Sequence, residues 1–193
     1  MALSTLDERT ALVVIDLQNA VAALPAAPYS TAEVIARTAE LADAFRARQL
    51  PVFLVRVSGT AQDMAPGRIE YTRPRAGAAP EGGDQIVPEL AGHPEDVIVT
   101  KRNWGAFYGT DLDLLLRRRG VTQIVLTGVA TSIGVDTTAR GAYEHGYHVT
   151  LATDAMSDLD AAAHEHTLLR IFPRLGESGT TSEVLELLHK THS

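Results

Sequence analysis

No cysteine occurs in the 193 residues, and this absence removes the most chemistry. It excludes a disulfide framework and a thiol nucleophile, and it fits the reducing interior of a cell, so the expected location is cytoplasmic. Positive charge is in deficit: 17 Lys and Arg against 24 Asp and Glu give a net charge of -7. Nucleic acids and anionic membrane surfaces attract the opposite balance, and no basic run rescues either partner. The apolar runs fall far short of the ~20 residues that span a bilayer. The stretch Met-Ala-Leu-Ser-Thr-Leu-Asp-Glu-Arg reaches charge within seven residues, which is not the pattern of a signal peptide. Ligand signatures are missing as well. Gly128 and Gly134 lack the Lys-Ser/Thr that follows a phosphate loop, the turn Asp16-Leu-Gln-Asn-Ala20 has no glycine for a dinucleotide, and the histidines match no zinc template. No cofactor and no bound metal are expected.

What is present describes an ordinary globular chain, 45% apolar and 21% charged, of a length suited to one domain spanning 1–193. Ala11 to Ile15 is an uninterrupted apolar run ending at Asp16, as in a strand buried on both faces. A helix capped by Ser30 or Thr31 places Val34, Ile35, Leu41 and Phe45 inward, and Pro51 stops it before a strand over Val52 to Val57. Ser58 to Pro94 is a long excursion rich in Gly, Pro and charge, with Arg68, Tyr71, Arg73 and Arg75 close together; such a length suits a lid or partner surface. Val97 to Thr100 is the third strand, with Lys101 at its exit. Asp111 to Arg119 is helical, and Gln123 to Leu126 is a fourth strand ended by Gly128, with a helix beginning near Gly134. His148 to Ala152, a helix over about 159–170, a short strand between Arg174 and Gly179 and a helix from Ser182 to His189 complete the chain. Strands alternating with helices predict a three-layer α/β/α fold with a doubly wound, mainly parallel sheet of about six strands.

In such a sheet, ligands bind beyond the carboxyl ends of the strands. Asp16, Lys101 and the Val129–Gly134 turn all lie at such ends. A half-buried Asp beside a Lys forms a charge pair in which attraction favours both charges and desolvation opposes them. The alternative is a helix cap or structural salt bridge. Trp104, Phe107 and Tyr108 follow Lys101 and either line a pocket or pack as core, Trp104 being the better pocket residue and Phe107 the better core residue.

Four segments in order carry a resemblance: Ala11-Leu-Val-Val-Ile-Asp-Leu-Gln-Asn19, Thr100-Lys-Arg-Asn-Trp-Gly-Ala-Phe-Tyr-Gly-Thr-Asp-Leu112, Thr127-Gly-Val-Ala-Thr-Ser-Ile-Gly-Val-Asp-Thr-Thr-Ala-Arg140 and Asp154-Ala-Met-Ser-Asp158. Through them the sequence resembles the isochorismatase-like hydrolases. The resemblance implies a homo-oligomer, dimer or tetramer, a small-molecule substrate, and a site of aspartate, lysine and cysteine. Asp16 and Lys101 match the first two, and Gly134 stands at the cysteine position. It further implies Gln18, Trp104, Phe107, Ala130 and Thr131 as substrate-binding residues, a cis peptide at Val129–Ala130, and backbone N–H groups of Ala130 and Gly134 that form an oxyanion hole in cysteine members. The Asp-x-His of the family's metal-binding nicotinamidases is missing after the second strand.

Glycine supplies no nucleophile, so acyl-enzyme chemistry is excluded at that position. The leading expectation is cofactor-independent hydrolysis of a vinyl ether or related carboxylated metabolite, with Asp16 as general acid and Lys101 as its partner. The alternatives are a C–N hydrolase that activates water and a ligand-binding protein without turnover. Arg68, Arg73, Arg75 and Arg102 are the candidate anchors for a carboxylated substrate.

Overall fold

A computed structural model describes residues 3–59, 68, 70 and 80–192. Six strands form one sheet: β1 Thr10–Ile15, β2 Val52–Val57, β3 Val97–Lys101, β4 Gln123–Val129, β5 His148–Ser157 and β6 Glu177–Gly179. Their order is β3-β2-β1-β4-β5-β6, every pairing is parallel, and the expected sheet is thereby found. The order reverses direction between β1 and β4, which places the ligand crevice of a doubly wound sheet at the ends of these two strands.

Both central strands are buried along their whole length, which is why they read as continuous apolar runs without alternation. After the single turn α1 (Asn19–Ala22), the helices form the two outer layers. On one face α2 (Thr31–Arg46) and α6 (Thr181–Thr191) bury Val34, Leu41, Phe45, Val184 and Leu188 against Leu12, Val14 and Leu54. On the other, α3 (Leu112–Arg118) and α4 (Asp136–Glu144) bury Leu112, Leu116, Ala139 and Ala142 against Val13, Ile15 and Leu126. The cap of α2 is Ser30, whose hydroxyl accepts from the Glu33 N–H while Glu33 accepts from the Ser30 N–H, a reciprocal box that satisfies two otherwise unpaired donors.

Three boundaries differ from the sequence reading. Gly128 lies inside β4 rather than ending it, because its φ of 119° and missing side chain let the chain pass against the Ile15 carbonyl. The fifth strand runs on to Ser157, its register slipping past Asp154, whose carboxylate accepts from the Thr181 N–H at the start of α6. The helix expected over 159–170 is α5 (Ala161–His166) continued by a π-helical turn, Thr167–Ile171.

The 58–94 excursion is described only in part, and Tyr71, Arg73 and Arg75 lie outside the described residues. Its final portion is not a free loop. Val87 and Leu90 are buried, and the N–H groups of Asn19, Ala20 and Val87 donate to Gln85, Gly83 and Leu17, respectively. This portion is therefore sealed onto the exit of β1.

An enclosed ion pair joins α2 to the segment entering β3. Arg46 donates to Asp96 at 2.6 and 3.3 Å, with the side chains 7% and 2% exposed. Removing one partner of such a pair strands a buried charge, so Asp96→Ala is expected to lower stability by about 3–5 kcal/mol, read from the urea unfolding midpoint.

Candidate active site

Asp16 leaves β1 in a left-handed conformation, φ 55°, which Asp tolerates better than most residues. The turn aims its carboxylate across the end of β2 toward Lys101, the last residue of β3. The Lys101 ammonium donates to Asp16 Oδ2 at 2.8 Å and to the Asn103 carbonyl at 3.1 Å. Both side chains are enclosed, Lys101 at 3% and Asp16 at 11% exposure. The second carboxylate oxygen, Asp16 Oδ1, is buried without a hydrogen-bond partner among the described residues. Burial pushes the Asp16 carboxyl up to about 6, while the charge and hydrogen bond of Lys101 pull in the opposite direction. The result is an acid that exchanges its proton near neutrality, held by one oxygen and uncommitted at the other.

The third arm comes from β4. Val129–Ala130 is a cis peptide, as the resemblance implied, and a π-helical turn, Thr131–Val135, leads into α4. A Cβ placed on Gly134 would lie 3.3 Å from Asp16 Oδ2 and 3.0 Å from Ile15 Cγ2. The bare α-carbon therefore faces the acid.

Between these arms lies a cavity of about 180 Å³, smaller than the ~300–1000 Å³ typical of sites for drug-sized ligands. Ala130 and Gly134 line it beside Asp16 and Lys101; Leu24, Val57, Ile133 and Leu159 make apolar walls. Trp104 also lines it while 64% exposed, so this ring stands at the mouth. A second hollow of about 220 Å³ lies over α2 beside Ile35, Ala36 and Glu89. Its lining holds no acid–base pair.

Three expected substrate contacts do not line this cavity. Gln18 is a clamp: its amide nitrogen donates to the carbonyls of Val57 and Gly83, and its oxygen accepts from the Val57 N–H at 2.7 Å. Phe107 packs on the far side of α4, stacked on His145 with ring centroids 5.0 Å apart; core packing, the alternative weighed for it, is what the structure shows. Thr131 is fully buried, with Oγ1 2.8 Å from His164 Nδ1. This Thr–His pair has the spacing of a nucleophile and its base, but Thr131 does not line the cavity. Burial holds the His164 pKa below its usual value, against the opposing charge of Asp158, and the ring packs edge-on to Tyr29. Asp136, just after the turn, is paired with Arg140 at 3.0 Å. Arg68 and Arg102 are exposed. Among the described residues no cluster of three metal-ligating side chains forms, and no helix is long and apolar enough to cross a membrane.

Sequence reasoning quoted Asp158 in a motif without giving it a role. Its carboxylate accepts from the N–H groups of Ser132 and Leu159 at 2.6 and 2.7 Å. The available signal was its place directly after Ser157 at the end of the fifth strand, which propensity alone does not distinguish from an ordinary turn.

Comparisons with known proteins agree with this architecture. Residues 10–183 match the family model for the isochorismatase domain. An uncharacterised isochorismatase family protein of Bacillus subtilis, YwoC, is 43% identical over 93% of this chain and 94% of its own. The ureidoacrylate amidohydrolase RutB of Variovorax paradoxus is 32% identical, covering 80% of this chain and 71% of its own. The solved structure of an isochorismatase family protein from Burkholderia thailandensis superposes with a TM-score of 0.91 at 46% identity, over 96% of this chain and 98% of that one. Sheet order, paired acid and amine, and these likenesses converge: the chain belongs to the isochorismatase family of hydrolases.

Proposed function

We propose that this hydrolase works without a covalent enzyme intermediate, using Asp16 as a general acid on the vinyl ether of a small metabolite. The observation that carries the reading is the enclosed Asp16–Lys101 pair facing Gly134, where a nucleophile has no atom to occupy. Asp16 delivers its proton to the terminal carbon of the enol ether. The adjacent carbon becomes an oxocarbenium ion, water adds to it and gives up a proton to the Asp16 carboxylate, and the hemiketal collapses to a ketone and an alcohol. Lys101 stabilises the carboxylate left behind, and the apolar walls keep the acid in its protonated form until transfer. Positioned proton transfer of this kind contributes about two to four powers of ten.

A second reading has support from the likeness to RutB, an amidohydrolase. In it Asp16 is ionised and removes a proton from water, which attacks a C–N carbonyl carbon. The two readings oppose each other in pH. With the free enzyme's Asp16 titrating at about 6, an acid role makes kcat/KM fall about tenfold per pH unit above that value, whereas a base role makes it rise to a plateau there. The decisive assay follows pyruvate release from isochorismate, and ammonia release from ureido and amide compounds, across this range. The vinyl-ether reading predicts pyruvate with a falling limb. Ammonia with a rising limb replaces it by the second reading, and hydroxamate formed on adding hydroxylamine would exclude both, since it reports a trapped acyl group on the enzyme.

A further inference from the structure

The cavity is assembled from pieces distant in the chain, and they meet at a residue that does not line it. Asp158 is 3% exposed. Its Oδ2 accepts from the Ser132 N–H, which fixes the turn bearing Ala130, Ile133 and Gly134, and its Oδ1 accepts from the N–H of Leu159, an opposite wall. Its backbone exchanges two hydrogen bonds with Ala27, at 2.8 and 3.0 Å, and so anchors the loop that carries Leu24. A second contact runs behind the first: Ser157 Oγ donates to the Tyr29 carbonyl and accepts from the Tyr29 N–H, and Tyr29 packs on His164, which pairs with Thr131. One carboxylate thus spans two walls and sets the height of the Gly134 turn over Asp16.

We propose that Asp158 is a positioning residue for the active cavity, acting through the Ser132 and Leu159 amides and touching no substrate. Two acceptor oxygens on one planar group are what the geometry needs. Asn supplies one oxygen and turns an NH2 toward the other amide; Ser supplies one oxygen only. Either leaves a backbone N–H unpaired in a buried place, and an unmet donor there favours displacement of the turn.

The test needs no substrate, so it stands or falls independently of the hydrolysis proposed above. Gly134→Cys places a reporter thiol beside Asp16, and its alkylation by iodoacetamide as a function of pH reads the electrostatic surroundings of that turn. Gly134→Cys is compared with Gly134→Cys/Asp158→Asn and Gly134→Cys/Asp158→Ser, each below its own unfolding midpoint and checked by circular dichroism. Displacement of the turn relative to Asp16 and Lys101 is expected to move the pH profile and to change the neutral-pH rate by at least about tenfold in the folded double variants. Superimposable profiles overturn the proposal. So does failure of both double variants to fold, because Asp158 would then serve the fold as a whole and not the turn.

Discussion

Asp16→Asn is expected to lower kcat by about two to four powers of ten on any substrate the wild-type protein hydrolyses, with KM changed far less. The side chain keeps its shape and can still accept from Lys101, so binding through the apolar walls survives. What disappears is a proton that moves: an amide neither donates one at neutral pH nor stores one. The substitution also has a stability signature with a definite sign. In the folded protein the carboxyl titrates at about 6, against 3.8 for an ordinary aspartate. A raised carboxyl pKa means that the folded state holds its proton where the unfolded chain has released it. Stability from this group is fully present below about 3.8 and is lost as pH rises through about 6, a loss of roughly 3 kcal/mol. The Asn variant lacks this term, so its urea midpoint should gain on wild type between these limits and run parallel above them. Curves that stay parallel throughout would show that Asp16 is not desolvated in the folded protein. Equal kcat in the two proteins would remove it from the chemistry.

Gly128→Ala is expected to yield no cooperatively folded protein. A Cβ there would lie 2.0 Å from the Ile15 carbonyl oxygen and 2.8 Å from its carbon and nitrogen, and the backbone has φ 119°. Both partners are main chain of the two central strands, so neither can turn aside, and Gly128 is paired with Ile15 in the sheet itself. The cost lies beyond the 4–5 kcal/mol that marks exceptional substitutions, and marginal stability does not absorb it. Circular dichroism during thermal and urea denaturation is the check; a cooperative transition near that of wild type would refute the steric reading. Gly146→Ala is the matched control. Its φ is 80° but nothing lies within 4 Å of the added carbon, so only the backbone preference is lost, about 1 kcal/mol.

The frame of this molecule was legible in the sequence because its strands are buried on both faces. Ala11–Ile15 and Gln123–Leu126 contain little but apolar residues, and the charged residues Asp16 and Lys101 mark where strands end. Side-chain direction was less legible. Gln18 follows a strand end and carries an amide, which suits a ligand as well as a backbone clamp, and only the approach of Val57 and Gly83, both distant in the chain, decides between them. Phe107 and Trp104 are three residues apart on one loop. The hydrophobic count treats them alike, yet one packs over α4 and the other stands at the cavity. Thr131 sits in the turn itself, and its partner His164 comes from a helix 33 positions on; no local pattern announces such a pairing. The slip of register past Asp154 escaped for the same reason, since what holds it is the start of α6.

The bare α-carbon opposite Asp16 also bears on descent. Glycine and cysteine codons differ by one nucleotide, and an added Cβ would meet a methyl group of Ile15, the Trp104 carbonyl and the carboxylate oxygen that could take up a thiol proton. Lineages of this scaffold could therefore cross between proton-donating and thiol-based catalysis in one mutational step, carrying the same acid and amine through the change.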